Sequence, residues 1–169
     1  MRHVTSWAVL AAVYVIGPLA GTLGMISPGY SQEAPTASDQ TKRIEALVNN
    51  AAKQIESKGK AVFPEFRKKG SEWWFDETYL FAYDTNLNVL LVAAFPKNEG
   101  QNKTGKTDAK GKLYHAEFVK VVQSKGAGWV NYMFPKPGQK EPSEKWSYVK
   151  AVKIDGVPGL VGAGFYPKQ

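Results

Sequence analysis

The sequence is poor in the residues on which most enzyme and metal sites depend. It contains no cysteine and only two histidines among 169 residues. Without cysteine, disulfide bonds, thiol nucleophiles and thiolate metal sites are excluded. Outside the N-terminal apolar stretch only His115 is left, and no cluster of His, Asp and Glu has the spacing of metal ligands. We therefore expect no enzyme activity, no metal site and no cofactor.

Acidic pairs of the kind that act as general acid and base are also missing. Asp76 and Glu77 are adjacent, so in a strand their side chains point in opposite directions. Asp84 and Asp108 lie in polar segments where aspartate commonly stabilises turns. A hydrolase is accordingly the least favoured class of function.

Positive charge is in modest excess and is widely spread. The chain has 22 lysine and arginine residues against 15 aspartate and glutamate residues, which gives a net charge of +7 and an isoelectric point near 9.5. The lysines are scattered and form no arginine-rich stripe, which argues against a nucleic-acid partner. We interpret them as a solvated basic surface.

The first 31 residues have the pattern of an export signal. A basic N-terminus precedes an apolar run from residue 7 to residue 20, and small residues including Ser31 follow. We predict that residues 1–31 are a signal peptide and that the mature protein is periplasmic or secreted. Because apolar residues continue patchily to Ile26, a retained N-terminal membrane anchor is the alternative.

The remainder has no repeat or low-complexity tract. Residues 32–38 are predicted to be a flexible lead-in, and residues 39–169 a single domain.

Helical periodicity marks three segments. Apolar residues recur at intervals of three and four from Ile44 to Ile55, which predicts a long helix between an N-cap at Ser38 and a stop at Gly59. A short helix is predicted to start near Pro64 and end at Gly70, with Phe63 and Phe66 turned inward. The third segment is residues 114–124.

Five segments rich in aromatic and β-branched residues predict strands, and the turn residues between them predict hairpins. In the central hairpin, alternation places Tyr132 and Trp129 on opposite faces of the first strand. In its second strand Lys145 and Ser147 lie opposite Tyr148. The predicted strands are residues 78–83, 89–95, 128–134, 145–153 and 160–166.

One long connection stands out. Residues 96–112 contain three glycines with many Lys, Asn and Thr residues, which predicts a surface loop. A loop of that length in a small domain is often functional.

Several blocks, taken in order, resemble the single-Cache sensor domains of bacteria. The resemblance extends from about residue 40 to the C-terminus. It implies an α+β fold in which a long N-terminal helix packs on a five-stranded antiparallel, PAS-like sheet. It also implies a ligand cavity between the sheet and residues 96–124. The blocks are FPEFRKKGSEWWFDETYLFAYD, KTDAKGKLYHAEFV, GAGWVNYMFPKPG, KWSYVK and VGAGFY.

The resemblance also implies a function. Domains of this family often sense small molecules, commonly short carboxylates, outside the membrane in chemoreceptors or sensor kinases. The sequence ends at Gln169, directly after the last predicted strand. We therefore expect a binding or sensing module for a small organic acid that acts through a partner such as a membrane receptor or kinase. A structural or protein-interaction module without a small-molecule ligand is the alternative.

Aromatic walls with a few hydroxyls and one lysine suit a small anion, although plain core packing explains the same composition. Lys145 is expected to reach the cavity mouth without full burial; its alternative is a solvated lysine at a strand edge. For His115 the alternative is a surface or capping residue. The candidate ligand-binding residues are Trp73, Tyr79, Phe81, His115, Trp129, Tyr132, Lys145 and Tyr148.

Overall fold

The long helix begins with a capping box at Ser38. In the computed structural model, which describes residues 34–168, the Ser38 hydroxyl accepts a hydrogen bond from the Thr41 N–H at 3.2 Å. The Thr41 hydroxyl accepts one from the Ser38 N–H at 2.8 Å. Helix α1, Asp39–Lys58, follows and ends at Gly59, as predicted. The predicted leader, residues 1–31, lies outside the described residues.

A second helical segment continues directly from the first. After a 3₁₀ turn at Gly59–Val62, helix α2 spans Phe63–Phe66, and both phenylalanines are buried as predicted. The helix is shorter than expected, because residues beyond Phe66 form turns and do not continue to Gly70. No helix within residues 34–168 has both the length and the apolar character needed to cross a membrane.

The strands form one antiparallel sheet, which confirms the predicted α+β class. Within residues 34–168 six strands are arranged in the order β1-β2-β6-β5-β4, and β3 also pairs with β2. The additional strand, β1, has only two residues. Helix α3, Tyr114–Lys125, precedes β4. The strands are β1 Trp74–Phe75, β2 Thr78–Asp84, β3 Val89–Val92, β4 Ala127–Pro135, β5 Pro142–Ile154 and β6 Val157–Phe165.

One predicted strand was too long. Residues 89–95 were expected to be extended, but β3 ends at Val92. The Phe95 N–H donates to the Val92 carbonyl at 2.9 Å, which closes a turn before Pro96. The Glu99 carboxylate accepts a hydrogen bond from the Val92 N–H at 3.0 Å and also pairs with Arg67 at 2.6 Å. The chain therefore leaves the sheet early and folds back along its edge.

Each face of the sheet carries its own helix and its own buried cluster. We call them the α1 face and the α3 face. The α1 face packs Leu80, Ala82, Val152, Ile154, Val161 and Ala163 against α1. The α3 face packs Tyr79, Phe81, Tyr83, Tyr132, Val149 and Leu160 against Tyr114, Phe118 and Val122 of α3.

Two glycines of β6 make room on the α3 face. A methyl group at Gly162 would lie 2.5 Å from the Phe81 ring and 2.9 Å from the Tyr148 carbonyl oxygen. A methyl group at Gly164 would lie 2.3 Å from the Ser147 hydroxyl and 2.2 Å from a backbone oxygen. The Phe81 ring and the Ser147 hydroxyl thus rest directly on the backbone of β6.

We predict that Gly162→Ala lowers the free energy of unfolding by about 1–3 kcal/mol, because the added methyl overpacks a region bounded by a ring and backbone. Gly128→Ala is the matched control, since its methyl would meet a single methyl group of Val121, at 2.9 Å, and no backbone atom or ring. Urea unfolding of both variants measures the difference. Equal stability of the two variants would contradict the close packing described for β6.

Candidate functional site

The pairing of β4 with β5 places a lysine among aromatic rings. Tyr132 and Lys145 are Cα partners across these strands, so both side chains project from the α3 face. Lys145 is buried, with 1% of its surface exposed. The structure thus contradicts both expectations for this residue, the partly exposed lysine and the solvated edge lysine. The reason is that aromatic rings from three other segments, Tyr79 of β2, Phe134 of β4 and Tyr166 after β6, lie around its ammonium group.

Aromatic rings surround the Lys145 ammonium. Its Nζ lies 3.9 Å from the centroid of the Tyr79 ring, 5.1 Å from that of Tyr166 and 5.4 Å from that of Phe134. Such cation–π contacts stabilise the charge only in part. Within the part of the chain that the structure describes, the ammonium has no hydrogen bond and no ion pair.

Burial therefore dominates the electrostatics of this lysine. It lowers the pKa of Lys145 from 10.5 to about 7, although the charge of Glu77 acts in the opposite direction. The Glu77 carboxylate itself pairs with Lys136 at 3.1 Å. The side chain of Lys145 therefore gains or loses its proton near neutral pH, and no negatively charged group among the described residues contacts it directly.

Hydroxyl groups line the space beside the ammonium. Tyr132 and Ser147 share a hydrogen bond of 3.0 Å, and the Tyr166 hydroxyl donates to the Pro135 carbonyl at 2.7 Å. Burial raises the pKa of Tyr79 and of Tyr132 well above the usual value, so both stay protonated near neutral pH. These phenols can therefore donate hydrogen bonds to an anion.

Helix α3 covers the site with rings stacked on rings of the sheet. Tyr114 stacks on Tyr132 with centroids 4.2 Å apart, and Phe118 stacks on Phe81 at 5.3 Å. A cavity of about 10 Å³ remains between them, which is room for about one water molecule. Its lining consists of Tyr79, Phe81, Tyr83, Val92, Tyr114, Phe118, Tyr132 and Phe134.

His115 is also buried, with 4% of its surface exposed, so the surface interpretation of this histidine was wrong. Its ring lies 3.8 Å from that of Tyr114 and 5.5 Å from that of Tyr83. Burial, and secondarily the charge of Lys103, lowers the pKa of His115 to about 4, so the imidazole is neutral at physiological pH. Helix α3 thus carries a neutral histidine at the margin of the cavity.

The structure separates three predicted site residues from the others. Trp129 and Tyr148 are Cα partners directly next to the Val130–Ser147 pair. Because successive side chains of a strand point to opposite faces, Trp129 and Tyr148 project from the α1 face. Trp129 donates from Nε1 to Glu45 of α1 at 2.9 Å. Trp73 packs on Phe66 with ring centroids 4.8 Å apart. These three residues cannot line one cavity with Lys145.

Other residues of the site were missed by sequence reasoning. Phe134 lies two residues after Tyr132 and therefore on the same face of the strand, but it was not among the candidates. Tyr114 and Phe118 belong to the segment 114–124, which was predicted only to be helical. Tyr166 follows β6 directly, and the aromatic end of the VGAGFY block was the available signal. Of the predicted residues, the structure brings together Tyr79, Phe81, Tyr132 and Lys145, with His115 at the margin.

A wider groove lies outside this cluster. It has a volume of about 1350 Å³, is open to solvent, and is lined by charged residues of both signs, including Arg43, Glu77 and Lys136. Tyr166 also lines it, and the centroid of this ring lies 5.1 Å from the Lys145 ammonium. Within residues 34–168 no group of three or more His, Asp or Glu side chains is arranged to hold a metal ion.

The lowered pKa of Lys145 predicts a pH-dependent stability. Between the folded value of about 7 and the ordinary value of 10.5, the unfolded chain binds the additional proton. The free energy of unfolding therefore rises as the pH increases from 7 to 9. Lys145→Met removes the charge and keeps most of the stem. It should raise the free energy of unfolding at pH 7 by on the order of a few kcal/mol and remove most of the slope, the remainder coming from groups such as Lys103, whose pKa burial also lowers.

Urea unfolding of wild type and Lys145→Met at pH 7, 8 and 9 provides the measurement. The buried tyrosines, whose pKa values are raised, reduce stability only above about pH 10 and do not interfere in this window. Parallel pH dependence of the two proteins would contradict the uncompensated burial of Lys145.

Comparison with known proteins agrees with this architecture. The sequence profile of the Cache domain (dCache_2) matches residues 66–168. The methyl-accepting chemotaxis protein McpP of Pseudomonas putida is 32% identical over 90 residues, which are 53% of this chain and 16% of that protein. The chain therefore matches about a sixth of the length of this relative.

Two similar solved structures are sensor domains. A periplasmic sensor domain of a chemotaxis protein is 25% identical, with a TM-score of 0.61 over 78% of this chain and 100% of that one. A Cache chemosensory domain, described in terms of carboxylic acid recognition, is 27% identical, with a TM-score of 0.65 over 76% of this chain and 94% of that one. The profile match covers more than half of the sequence, and the chain therefore belongs to the Cache domain family.

Proposed function

We propose that this Cache domain is an extracytoplasmic sensing module that binds a small organic acid, with the ligand carboxylate at the Lys145 ammonium. The observation that carries the proposal is Lys145, a residue that is 1% exposed and whose ammonium has no counter-ion among residues 34–168. A buried charge without a partner is costly, and a ligand carboxylate would supply the missing charge. The solved Cache domain described as recognising carboxylic acids supports the same chemistry.

The rest of the lining favours a short monocarboxylate. Besides four tyrosines, the cavity is lined by the apolar side chains of Phe81, Val92, Phe118 and Phe134, and none of its lining residues is charged. These can bury a small apolar group, whereas a second carboxylate there would have no cation to meet it. Acetate and propionate fit this description better than succinate.

Binding requires the aromatic cluster to expand. A cavity of about 10 Å³ is smaller than any carboxylate, so rings of one wall must move outward. The sheet is fixed by continuous strand pairing, whereas Tyr114 and Phe118 are attached to α3 at the end of a long irregular segment. We propose that α3 moves away from the sheet, and that this displacement signals occupancy to a membrane receptor or kinase partner. The domain itself carries out no reaction.

We predict that propionate binding depends on Lys145. A hydrogen bond to a charged group contributes about 1.5–3 kcal/mol, so Lys145→Met should weaken binding by about tenfold to a hundredfold. Lys153→Met is the matched control, because Lys153 belongs to the same strand and is exposed. Isothermal titration calorimetry of folded protein gives both affinities. Unchanged affinity in Lys145→Met would remove this residue from the site.

The affinity should also fall at alkaline pH. Above the pKa of about 7 the free protein must take up a proton on Lys145 before the anion is paired. Propionate affinity should therefore fall by up to about tenfold per pH unit above pH 7. Calorimetry in two buffers with different ionisation enthalpies measures the proton uptake directly. If binding at pH 8 takes up no proton, a neutral Lys145 in the free protein is refuted.

A thermal-shift screen against carboxylates, amino acids and amines tests the ligand class as a whole. A ligand at a hundredfold excess over its dissociation constant should stabilise the domain by about 2.7 kcal/mol. Stabilisation by amines and none by carboxylates would contradict the proposal. If no member of the screen binds, the alternative of a protein-interaction module is favoured.

A further inference from the structure

Trp74 carries a buried N–H group without an acceptor. Within residues 34–168, Trp74 Nε1 and His115 Nδ1 are fully buried side-chain nitrogens that lack any hydrogen-bond partner. Buried donors are nearly always paired, because an unpaired one loses its hydration without compensation. An unpaired buried donor in a domain that binds ligands therefore needs an explanation.

The position of Trp74 connects it to the carboxylate site. Trp74 and Tyr79 are Cα partners across β1 and β2, and their ring centroids lie 6.3 Å apart. The Tyr79 ring also contacts the Lys145 ammonium, at 3.9 Å. Trp74 and Lys145 are thus both neighbours of Tyr79 on the α3 face. The adjacent Trp73 packs on Phe66 on the opposite face.

Trp74 Nε1 and Lys145 Nζ share one chemical property. An indole N–H and an ammonium can donate hydrogen bonds but cannot accept them, so neither can satisfy the other. A single group with two acceptor atoms would satisfy both. A carboxylate has two such oxygens and also supplies the negative charge that Lys145 lacks.

We infer that Trp74 is a second ligand-binding residue, whose Nε1–H donates to one carboxylate oxygen while Lys145 pairs with the other. This inference rests on the proposed function, because it requires that a carboxylate binds at Lys145. Trp74 would fix the orientation of the bound carboxylate. An ammonium attracts any nearby anion, whereas the indole N–H donates a hydrogen bond along one direction only.

The test compares Trp74→Phe with Trp73→Phe, using propionate as the probe. Both variants lose an indole N–H and similar bulk, but on opposite faces of the sheet. Trp74→Phe should weaken propionate binding about tenfold or more in calorimetry, and Trp73→Phe should bind like wild type. In wild type, the indole N–H resonance that disappears in Trp74→Phe should shift downfield when propionate is added.

The outcomes separate the two proposals. If Lys145→Met weakens binding while Trp74→Phe binds like Trp73→Phe, the role of Trp74 is refuted and the carboxylate site stands. If propionate does not bind wild type, or binds all four proteins equally, both proposals are refuted. Should Trp74→Phe fail to fold, the indole resonance of wild type decides: a resonance that propionate leaves unmoved refutes the role of Trp74.

Discussion

A buried ammonium without a counter-charge is the constraint on which the α3 face depends. Lys145 is held there by the pairing of β4 with β5, and no described carboxylate comes within ion-pairing distance. A protein interior tolerates such a group only where aromatic faces, hydroxyls or a ligand stabilise it. Tyr79, Tyr132 and Tyr166 supply the aromatic faces and the hydroxyls. We propose that a small organic acid is the ligand.

The two faces of the sheet divide stability from binding. The α1 face is an aliphatic core in which residues such as Ile44, Val48 and Ile154 pack with almost no exposure. The α3 face is aromatic and carries the buried polar groups, which weaken a core but orient a ligand. The movement of α3 that we propose would change packing on the α3 face and leave the separate cluster around α1 intact.

The local parts of the fold were predictable from sequence because local chemistry determines them. Ser38 caps α1, and Gly59 and Gly126 end helices through their positive φ angles. Asp155 and Gly156 both have positive φ, as a two-residue hairpin turn requires, and this turn sets the register of β5 with β6. The early end of β3 depends partly on Glu99, which accepts a hydrogen bond from the Val92 N–H and pairs with the distant Arg67, and no local pattern indicates that contact.

The site was less predictable because it depends on register between strands. Alternation correctly separated Tyr132 from Trp129 and Lys145 from Tyr148. Which residue of β4 faces which residue of β5 follows only from the pairing, and that pairing brings Tyr132 together with Lys145. The burial of Lys145 was not visible either, since it depends on the rings of Tyr79 and Tyr166, which strand pairing brings to Lys145 from other parts of the sequence.

The most direct test of this account is the pKa of Lys145, read from its ¹³Cε resonance in a pH titration of lysine-labelled protein. The resonance is identified by its absence in Lys145→Met. Burial should give Lys145 a pKa near 7 in the free protein. The pKa should be clearly higher when propionate is bound, because the carboxylate stabilises the charged form. A value near 10.5 in both states would show that Lys145 is neither desolvated nor a partner of the ligand.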